Sequence, residues 1–285
     1  MEQRFDAYAE WFEVIGWIGL VFIGLAVVET VWDFATRRRR GIAETGANVL
    51  IALGYEVSNR VAFGLVFVIG LFLVEPLALF EIPINAWTWV LAILAADFSY
   101  YWMHRFEHEV RLLWAYHVVH HSSPEFNLTT AYRLSWVEGA FEWIFFVPMI
   151  LIGFDPVQTT IAAVVGLTYQ TWIHTQKIGK LGWLDRVFNT PSAHRVHHGA
   201  NDGYLDRNYG GILIIWDRMF GTYQAEEEPV RFGITEPVNS ANPLVINFHE
   251  YAAIARDCWR SRRLADLRGY VFGPPGWRPQ RPAAE

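Results

Sequence analysis

Nine of the chain's ten histidines lie between His104 and His198, as His104/His108, His117/His120/His121, the single His174, and His194/His197/His198. On helices, His-x-x-x-His and His-x-x-His-His bring their imidazoles to one face, because side chains three and four positions apart are neighbours. Each cluster is therefore expected to grip a metal as a unit. Imidazole is the commonest neutral ligand for transition metals, and nine rings exceed the roughly four to six positions one ion offers, so two metals are the natural count. A lone histidine is more often a satisfied core or surface residue. Three clusters and a further ring within one third of the sequence instead mark a metal site, with all nine as candidate ligands. His249, in Asn-Phe-His-Glu outside this region, is expected to be structural or to touch a ligand.

The remaining chemistry follows by comparison. Cys258 is the only cysteine, which rules out an intramolecular disulfide and leaves nitrogen, or nitrogen with oxygen, as the ligand set. Glu109 follows His108, but Leu112 stands where a zinc hydrolase of the His-Glu-x-x-His type needs its second histidine, so that pattern fails. A non-haem iron pair suits the site better, since open coordination positions can bind and reduce oxygen for attack on unactivated C–H bonds. Glu109 and Asp97 are the candidate catalytic carboxylates beside the ligands. Asp97, Tyr101, His104 and His108 are spaced four, three and four apart, one stripe on a helix. Asp97 is expected either to accept a hydrogen bond from a ligand imidazole or to sit as a carboxylate at a helix end. Glu138 and Glu142, at i and i+4 where an apolar segment starts, are functional candidates or water-facing groups. Asp206, Arg207 and Asn208 orient ligands or shape a turn. The sequence has no Gly-x-Gly-x-x-Gly, Walker or Gly-x-Ser-x-Gly motif, which leaves nicotinamide and ATP chemistry unsupported. A net charge of −6 without a basic stripe argues against nucleic acid as a partner.

The elements that position these residues are apolar. Hydrophobic residues make up 53% of the chain, aromatic residues 16% and charged residues only 18%, too apolar for an ordinary soluble domain. Segment 14–28 is uncharged and extends to residue 32 across Glu29; 61–80 is broken only by Glu75; 82–96, 143–154 and 156–173 are uncharged. A span needs about 20 largely apolar residues, so the first, second and fifth qualify and the other two need their polar flanks. The fold expected is all-α: a polytopic integral membrane protein of about four to five transmembrane helices, with a cytoplasmic, histidine-rich helical cap holding a dimetal site. Arg37 to Arg40, directly after the first span, place that loop in the cytoplasm by the positive-inside rule, and five crossings then put every histidine cluster on the same side. A cleavable signal peptide is not expected, because the basic run follows the apolar stretch. The organisation expected is 1–96, N-terminal transmembrane helices; 97–225, the catalytic domain with a transmembrane hairpin at about 137–173; and 226–285, a C-terminal cytoplasmic segment with a Pro-rich tail. The membrane would be the inner membrane of a bacterium or the endoplasmic reticulum of a eukaryote.

Longer stretches carry a family resemblance. Tyr-Tyr-Trp-Met-His-Arg at 100–105, His-Glu-Val at 108–110, His-His-Ser-Ser at 120–123 and Trp-Ile-His-Thr at 172–175 resemble the fatty acid hydroxylase and sterol desaturase superfamily of di-iron oxygenases. With Asn-Thr-Pro-Ser-Ala-His-Arg-Val-His-His-Gly at 189–199, Ile-Ile-Trp-Asp-Arg-Met-Phe-Gly-Thr at 214–222 and a C-terminal Gly-Pro-Pro-Gly-Trp, the sequence looks most like the alkylglycerol monooxygenase branch. The resemblance implies two irons in a cytoplasmic cap, O2 as co-substrate and a membrane lipid as the hydroxylated partner. For this branch it implies cleavage of glyceryl ethers by hydroxylation of the ether-adjacent carbon, with electrons from a reduced pterin (tetrahydrobiopterin). Ala193 stands where animal members of the branch carry a further histidine, and bacterial relatives extend the implied substrates to other lipids, including aminolipids. Without a haem-binding His-Pro-Gly-Gly motif, the electron donor is external, either the pterin or a separate electron-transfer protein. Two alternatives remain at this stage: a sterol or fatty-acyl desaturase using the same iron pair, and a metal-binding membrane protein or transporter. Transporters place polar ligands near the bilayer midplane, whereas these clusters follow the spans.

Overall fold

The computed structural model describes residues 8–36, 41–261 and 263–279. The arginine run at 37–40 and the last residues of the Pro-rich tail lie outside the described residues. Among those described, pairing between extended segments is limited to the isolated bridges Phe188↔Leu213 and Gly199↔Phe232, so the all-α expectation holds.

Helix α1, Ala9–Ala35, is apolar on nearly every side. Helix α2, Ile42–Ser58, passes through one π turn, Asn59–Phe63, into α3, Gly64–Val74. Asn85 starts α4, Ala86–Glu109, with a capping box in which its side chain accepts from Trp87 and Thr88 N–H while Thr88 Oγ1 accepts from Asn85 N–H. Extended backbone at Val110 ends α4 and opens α5, Arg111–His121. Helix α6, Gly139–Glu142, runs through a 3-10 turn into α7, Val147–Ile152. The chain reverses at Gly153, where φ is +121° and a Cβ would lie 2.2 Å from the Phe80 carbonyl, so only glycine fits. Asp155 caps α8, Pro156–Thr171, by accepting from Val157 and Gln158 N–H, with proline in the first turn. Four further helices complete the cap: α9 (Pro191–His197), α10 (Ile215–Phe220), α11 (Pro243–Arg260) and α12 (Leu264–Phe272).

Contacts at the helix ends set the direction of each rod. Tyr8, at the start of α1, packs with Val157 and Ile161 at the start of α8 and lies edge-on to Trp89 at the start of α4. At the other end of α1, Glu29 accepts from Leu128 N–H and Thr175 Oγ1, and Asp33 pairs with Lys177, beside the histidine region. Helix α2 begins at that same pole, where Glu44 and Asn48 meet Arg133. The segment after α3 ends at the opposite pole, where Leu79 and Ile82 N–H donate to Leu151 and Gly153 carbonyls. Helices α1, α4 and α8 therefore run toward the histidine cap, while α2–α3 and α6–α7 run away from it. A core of Leu71, Ala92, Met103, Phe146, Ile150 and Ala162 fills the space between them.

Two of these rods, Ala9–Ala35 and Ile42–Leu77, are long and apolar enough to cross a membrane. The 143–154 and 156–173 segments give shorter helices, since α8 has 16 residues and spans about 24 Å at 1.5 Å per residue. The boundary expected between 96 and 97 falls inside α4, which carries apolar packing on its first half and histidines on its last turns.

Candidate metal centre

Helix α4 supplies His104 and His108, α5 supplies His117, His120 and His121, the turn after α8 supplies His174, and α9 with its cap supplies His194, His197 and His198. The nine side chains form two buried groups, His104/His108/His117/His121/His197 and His120/His174/His194/His198, with the ring nitrogens of each within 4.8 Å of one another. The rings of one sequence cluster are thus divided between the two groups. On α5, His117 and His121 are one turn apart and face the five-ring group, while His120, rotated by about 100° from His121, faces the other. On α9 the arrangement is reciprocal: His194 and His198 join the four-ring group and His197 crosses to the first.

Inward nitrogens are close together. In the first group, His104 Nε2 lies 3.0 Å from His117 Nε2, which lies 3.1 Å from His121 Nε2, itself 3.0 Å from His197 Nε2. In the second, His174 Nε2 is 2.8 Å from His194 Nε2 and 3.1 Å from His120 Nε2, and His198 Nε2 is 3.2 Å from His194 Nε2. The outward nitrogens determine what these contacts are. His104 Nδ1–H donates to the Tyr209 carbonyl at 2.8 Å, His174 Nδ1–H to Gln170 at 2.8 Å and His197 Nδ1–H to Arg207 at 2.9 Å. His117 Nδ1 faces the Glu107 carboxylate at 3.1 Å. A neutral ring that donates through Nδ1 keeps only a lone pair on Nε2, so His104, His174 and His197 aim lone pairs inward. His108 Nε2 is buried with no hydrogen-bond partner. Such convergence fits a cation in each group. Nitrogens about 3.0 Å apart are neighbouring corners of an octahedron whose metal–nitrogen distances are about 2.1 Å.

Burial is the first cause of the low basicity of these rings. It holds His104, His117, His120, His121, His194, His197 and His198 well below the usual imidazole range, reinforced by neighbouring imidazoles, and lowers His174 to about 4. They are therefore neutral at physiological pH, the form that ligates metals.

Asp97 does not reach an imidazole. Its carboxylate accepts from Ile212 N–H at 2.6 Å, Leu213 N–H at 3.1 Å and the Trp216 indole at 2.8 Å, which corrects the expectation of a direct ligand contact. The reason is positional, since Asp97 lies two turns before His104 and meets the loop entering α10 instead. That loop is held again by Asp217, which accepts from Tyr209 N–H and Gly210 N–H at 2.7 and 2.8 Å and so fixes the carbonyl that orients His104. Glu109 points outward and pairs with Arg105 at 2.8 Å. The buried carboxylate beside a ring of the five-histidine group is Glu107, 3.1 Å from His117 Nδ1, a residue the sequence does not single out. Its available signal was spacing, since Glu107 lies three and seven positions after His104 and Tyr100. Its other oxygen accepts from Tyr116 OH at 2.8 Å.

Asp206 lies 3.5 Å from His108 Nδ1, the Arg207 carbonyl accepts from His197 Nδ1–H, and Asn208 ties the turn to Ala193 and Gln224. Glu138 and Glu142 are buried rather than facing water. His249 bonds its own helix at the Ile246 carbonyl, outside both groups.

Buried arginines lock the cap. Arg133 bonds Glu44, Asn48, Ser122 and the Val119 carbonyl, joining α2 to the end of α5. Arg195, between the α9 histidines, makes a bidentate pair with Glu226 at 2.6 and 2.7 Å.

Cavities reach the rings from two sides. One, of about 280 Å³, is lined by His117, His120, His174 and Glu107 and extends to Ile15 and Phe22 of α1. Through Tyr55, Tyr100, Met103, Glu142 and Leu167 it shares its wall with an apolar cavity of about 140 Å³ between α3, α4 and α8. On the opposite side, His108, His121, His197 and His198 form the floor of a further cavity of about 280 Å³, with Glu109 and Asp206 in its wall.

Residues 89–222 match the family model for fatty acid hydroxylase. Alkylglycerol monooxygenase of Homo sapiens is 44% identical over 209 residues, covering 73% of this chain and 47% of that protein. The enzyme of the same name from Xenopus tropicalis is 44% identical over 72% of this chain and 46% of its own length. Ornithine lipid hydroxylase OlsE of Rhizobium tropici is 33% identical over 52% of this chain and 46% of its own length. The chain spans about half the length of the curated relatives it matches. No solved structure matches. The chain belongs to the fatty acid hydroxylase superfamily.

Proposed function

We propose that this member of the fatty acid hydroxylase superfamily is an integral-membrane, O2-dependent lipid monooxygenase, with one iron held among His104, His108, His117, His121 and His197 and a second among His120, His174, His194 and His198. The observation that carries this reading is adjacency: His117, His120 and His174 line a cavity that shares the wall residues Tyr55, Tyr100, Met103, Glu142 and Leu167 with an apolar one inside the helix bundle. Iron held by these histidines would supply the O2-dependent oxidising chemistry that an unactivated C–H bond requires. The protein places the substrate. An alkyl tail in the apolar cavity, beyond Tyr100 and Glu142, leaves the polar end of the lipid toward the rings and excludes water from the reacting carbon. The overall change is R–H + O2 + 2e⁻ + 2H⁺ → R–OH + H2O.

Alkylglycerol ethers are the proposed substrates, on the strength of the relatives' names and the amphiphilic cavity. Hydroxylation of the ether-adjacent carbon gives a hemiacetal that collapses to a fatty aldehyde and free glycerol. Electrons come from a reduced pterin (tetrahydrobiopterin) or a separate electron-transfer protein, approaching by the cavity over His108 and His197, where Glu109 and Asp206 supply polar contacts. The five alternating rods support five crossings with the cap on the cytoplasmic side. In this reading α1 and α2–α3 span fully, and α4, α6–α7 and α8 complete the count as tilted or partly buried helices.

The test is turnover of an alkylglycerol by membranes containing the protein, under ¹⁸O2, with and without reductant. Labelled product that needs both oxygen and reductant supports the monooxygenase. A new double bond without label identifies a desaturase, and product formed equally well without oxygen overturns both.

A further inference from the structure

Helix α11 is amphipathic in an inverted sense. Its protein-facing side holds Ile246, which packs on Ala47, Ile51 and Val119, and Asn247, which accepts from Trp136 N–H. The carboxylates Glu250 and Asp257 also turn inward and pair with the buried Arg111 at 2.7 and 2.8 Å. The outward stripe is apolar: Leu244, Phe248, Ala252, Ala255 and Trp259 are all exposed, at three- and four-residue spacing, and Trp259 is 92% exposed. This stripe runs for about 22 Å at 1.5 Å per residue. Arg256 and Arg260 flank it on the exposed side, Arg263 follows, and Leu264 opens α12 at 85% exposure. No ion pair links these three arginines to a carboxylate among the described residues.

We propose that α11 lies in the plane of the membrane interface, with its apolar stripe in the acyl boundary and Arg256, Arg260 and Arg263 on anionic lipid headgroups. Two observations favour a lipid surface over another occupant. The first is continuity: Phe248 meets Trp136 with centroids 6.1 Å apart, and Trp136 lies on α2 at Gly54 and donates to the Ile51 carbonyl, beside the exposed Leu50, Leu53 and Val57. The apolar band of a candidate span thus passes directly onto α11. The second is charge. Acidic residues are paired inside and basic residues lie outside, next to a tryptophan, which is the distribution an anionic interface selects.

This inference rests on the membrane reading, and the test separates the two. In a Cys258→Ser background, nitroxides are placed at Ala252→Cys and Ala255→Cys on α11, at Val21→Cys on α1 and at Asp202→Cys on the cap. Collision rates with O2 and with a nickel chelate are measured in nanodiscs of phosphatidylcholine with and without phosphatidylglycerol. The expected result is a nickel rate at 252 and 255 several-fold below that at 202, with an O2 rate approaching that at 21. The contrast should be larger with phosphatidylglycerol, and Arg256→Glu with Arg260→Glu should abolish that lipid dependence. Nickel access at 252 and 255 equal to that at 202, with Val21→Cys protected, overturns the interfacial helix alone. Labels shielded from both reagents would mean a protein covers the stripe, and also overturn it. Nickel access at Val21→Cys would overturn the membrane reading as well.

Discussion

Replacing Glu107 by glutamine should weaken metal retention at the five-histidine group while leaving the fold intact. The carboxylate accepts from Tyr116 OH at 2.8 Å and lies 3.1 Å from His117 Nδ1, inside a buried site. Contacts to a charged acceptor contribute about 1.5–3 kcal/mol and neutral ones about 0.5–1.5, so the amide should lose about 1–2 kcal/mol at the imidazole. That is roughly 5- to 30-fold in affinity, at the lower end of the tenfold to 100-fold typical when a partner of a ligating histidine is removed. The assay is iron per chain under competition with a chelator of known affinity, with circular dichroism as a check on helix content. Glu109→Gln is the control, because Glu109 is tied to Arg105 at the surface; it should keep its iron and act, if anywhere, on the dependence on reductant. If Glu107→Gln holds iron like the parent chain and Glu109→Gln loses it, the assignment of Glu107 to His117 is wrong.

Three further outcomes can be checked. His120→Ala or His197→Ala, each taking a crossed ring from its group, should abolish turnover and lower iron below two per chain, measured by mass spectrometry of the metal, whereas His249→Ala should keep both. In iron-free protein, a folded pKa of His174 near 4 against an ordinary 6.5 contributes stability that is fully present above about pH 6.5 and falls as the unfolded state takes up the proton first; this loss amounts to about 3 kcal/mol by pH 4 and is readable as an acid shift in thermal unfolding. Gly166 lines the apolar cavity and a Cβ there meets nothing within 4 Å, so Gly166→Leu should fold normally and disfavour long alkyl chains by about fourfold per methylene displaced, from about 0.8 kcal/mol each, measured as kcat/KM across a chain-length series.

Much of the site was legible because histidine at helical spacing has few structural uses in such number. Position along the chain located the rings, and apolar segments located the rods that carry them. The division of the rings into two groups was not legible. It depends on the rotation of α5 and α9 about their own axes, which packing against α4 and the Arg133 and Arg195 latches decides, and periodicity alone cannot separate His120 from His121. Asp97 illustrates the same limit. Its spacing on the α4 stripe was read correctly, yet its partner is the loop at Ile212 and Leu213, more than a hundred positions downstream. Glu107 and Glu109 flank His108 on either side; only Glu109 stands in the His-Glu order of a hydrolase motif, while helical geometry turns Glu109 outward to Arg105 and Glu107 toward Tyr116 and His117.

The exchange of rings between α5 and α9 bears on how the centres fill. An ion among His104, His108, His117, His121 and His197 fixes the rotation of both helices and, in the same act, sets His120, His194 and His198 for a second ion. The conformational entropy of ordering these helices is lost on the first binding event and need not be lost again on the second. Loading should then be positively cooperative, with singly occupied chains the rarest species during titration. By reciprocity, stripping either ion should loosen the grip on the other, so two ions held by these groups would form one thermodynamic unit rather than two adjacent sites.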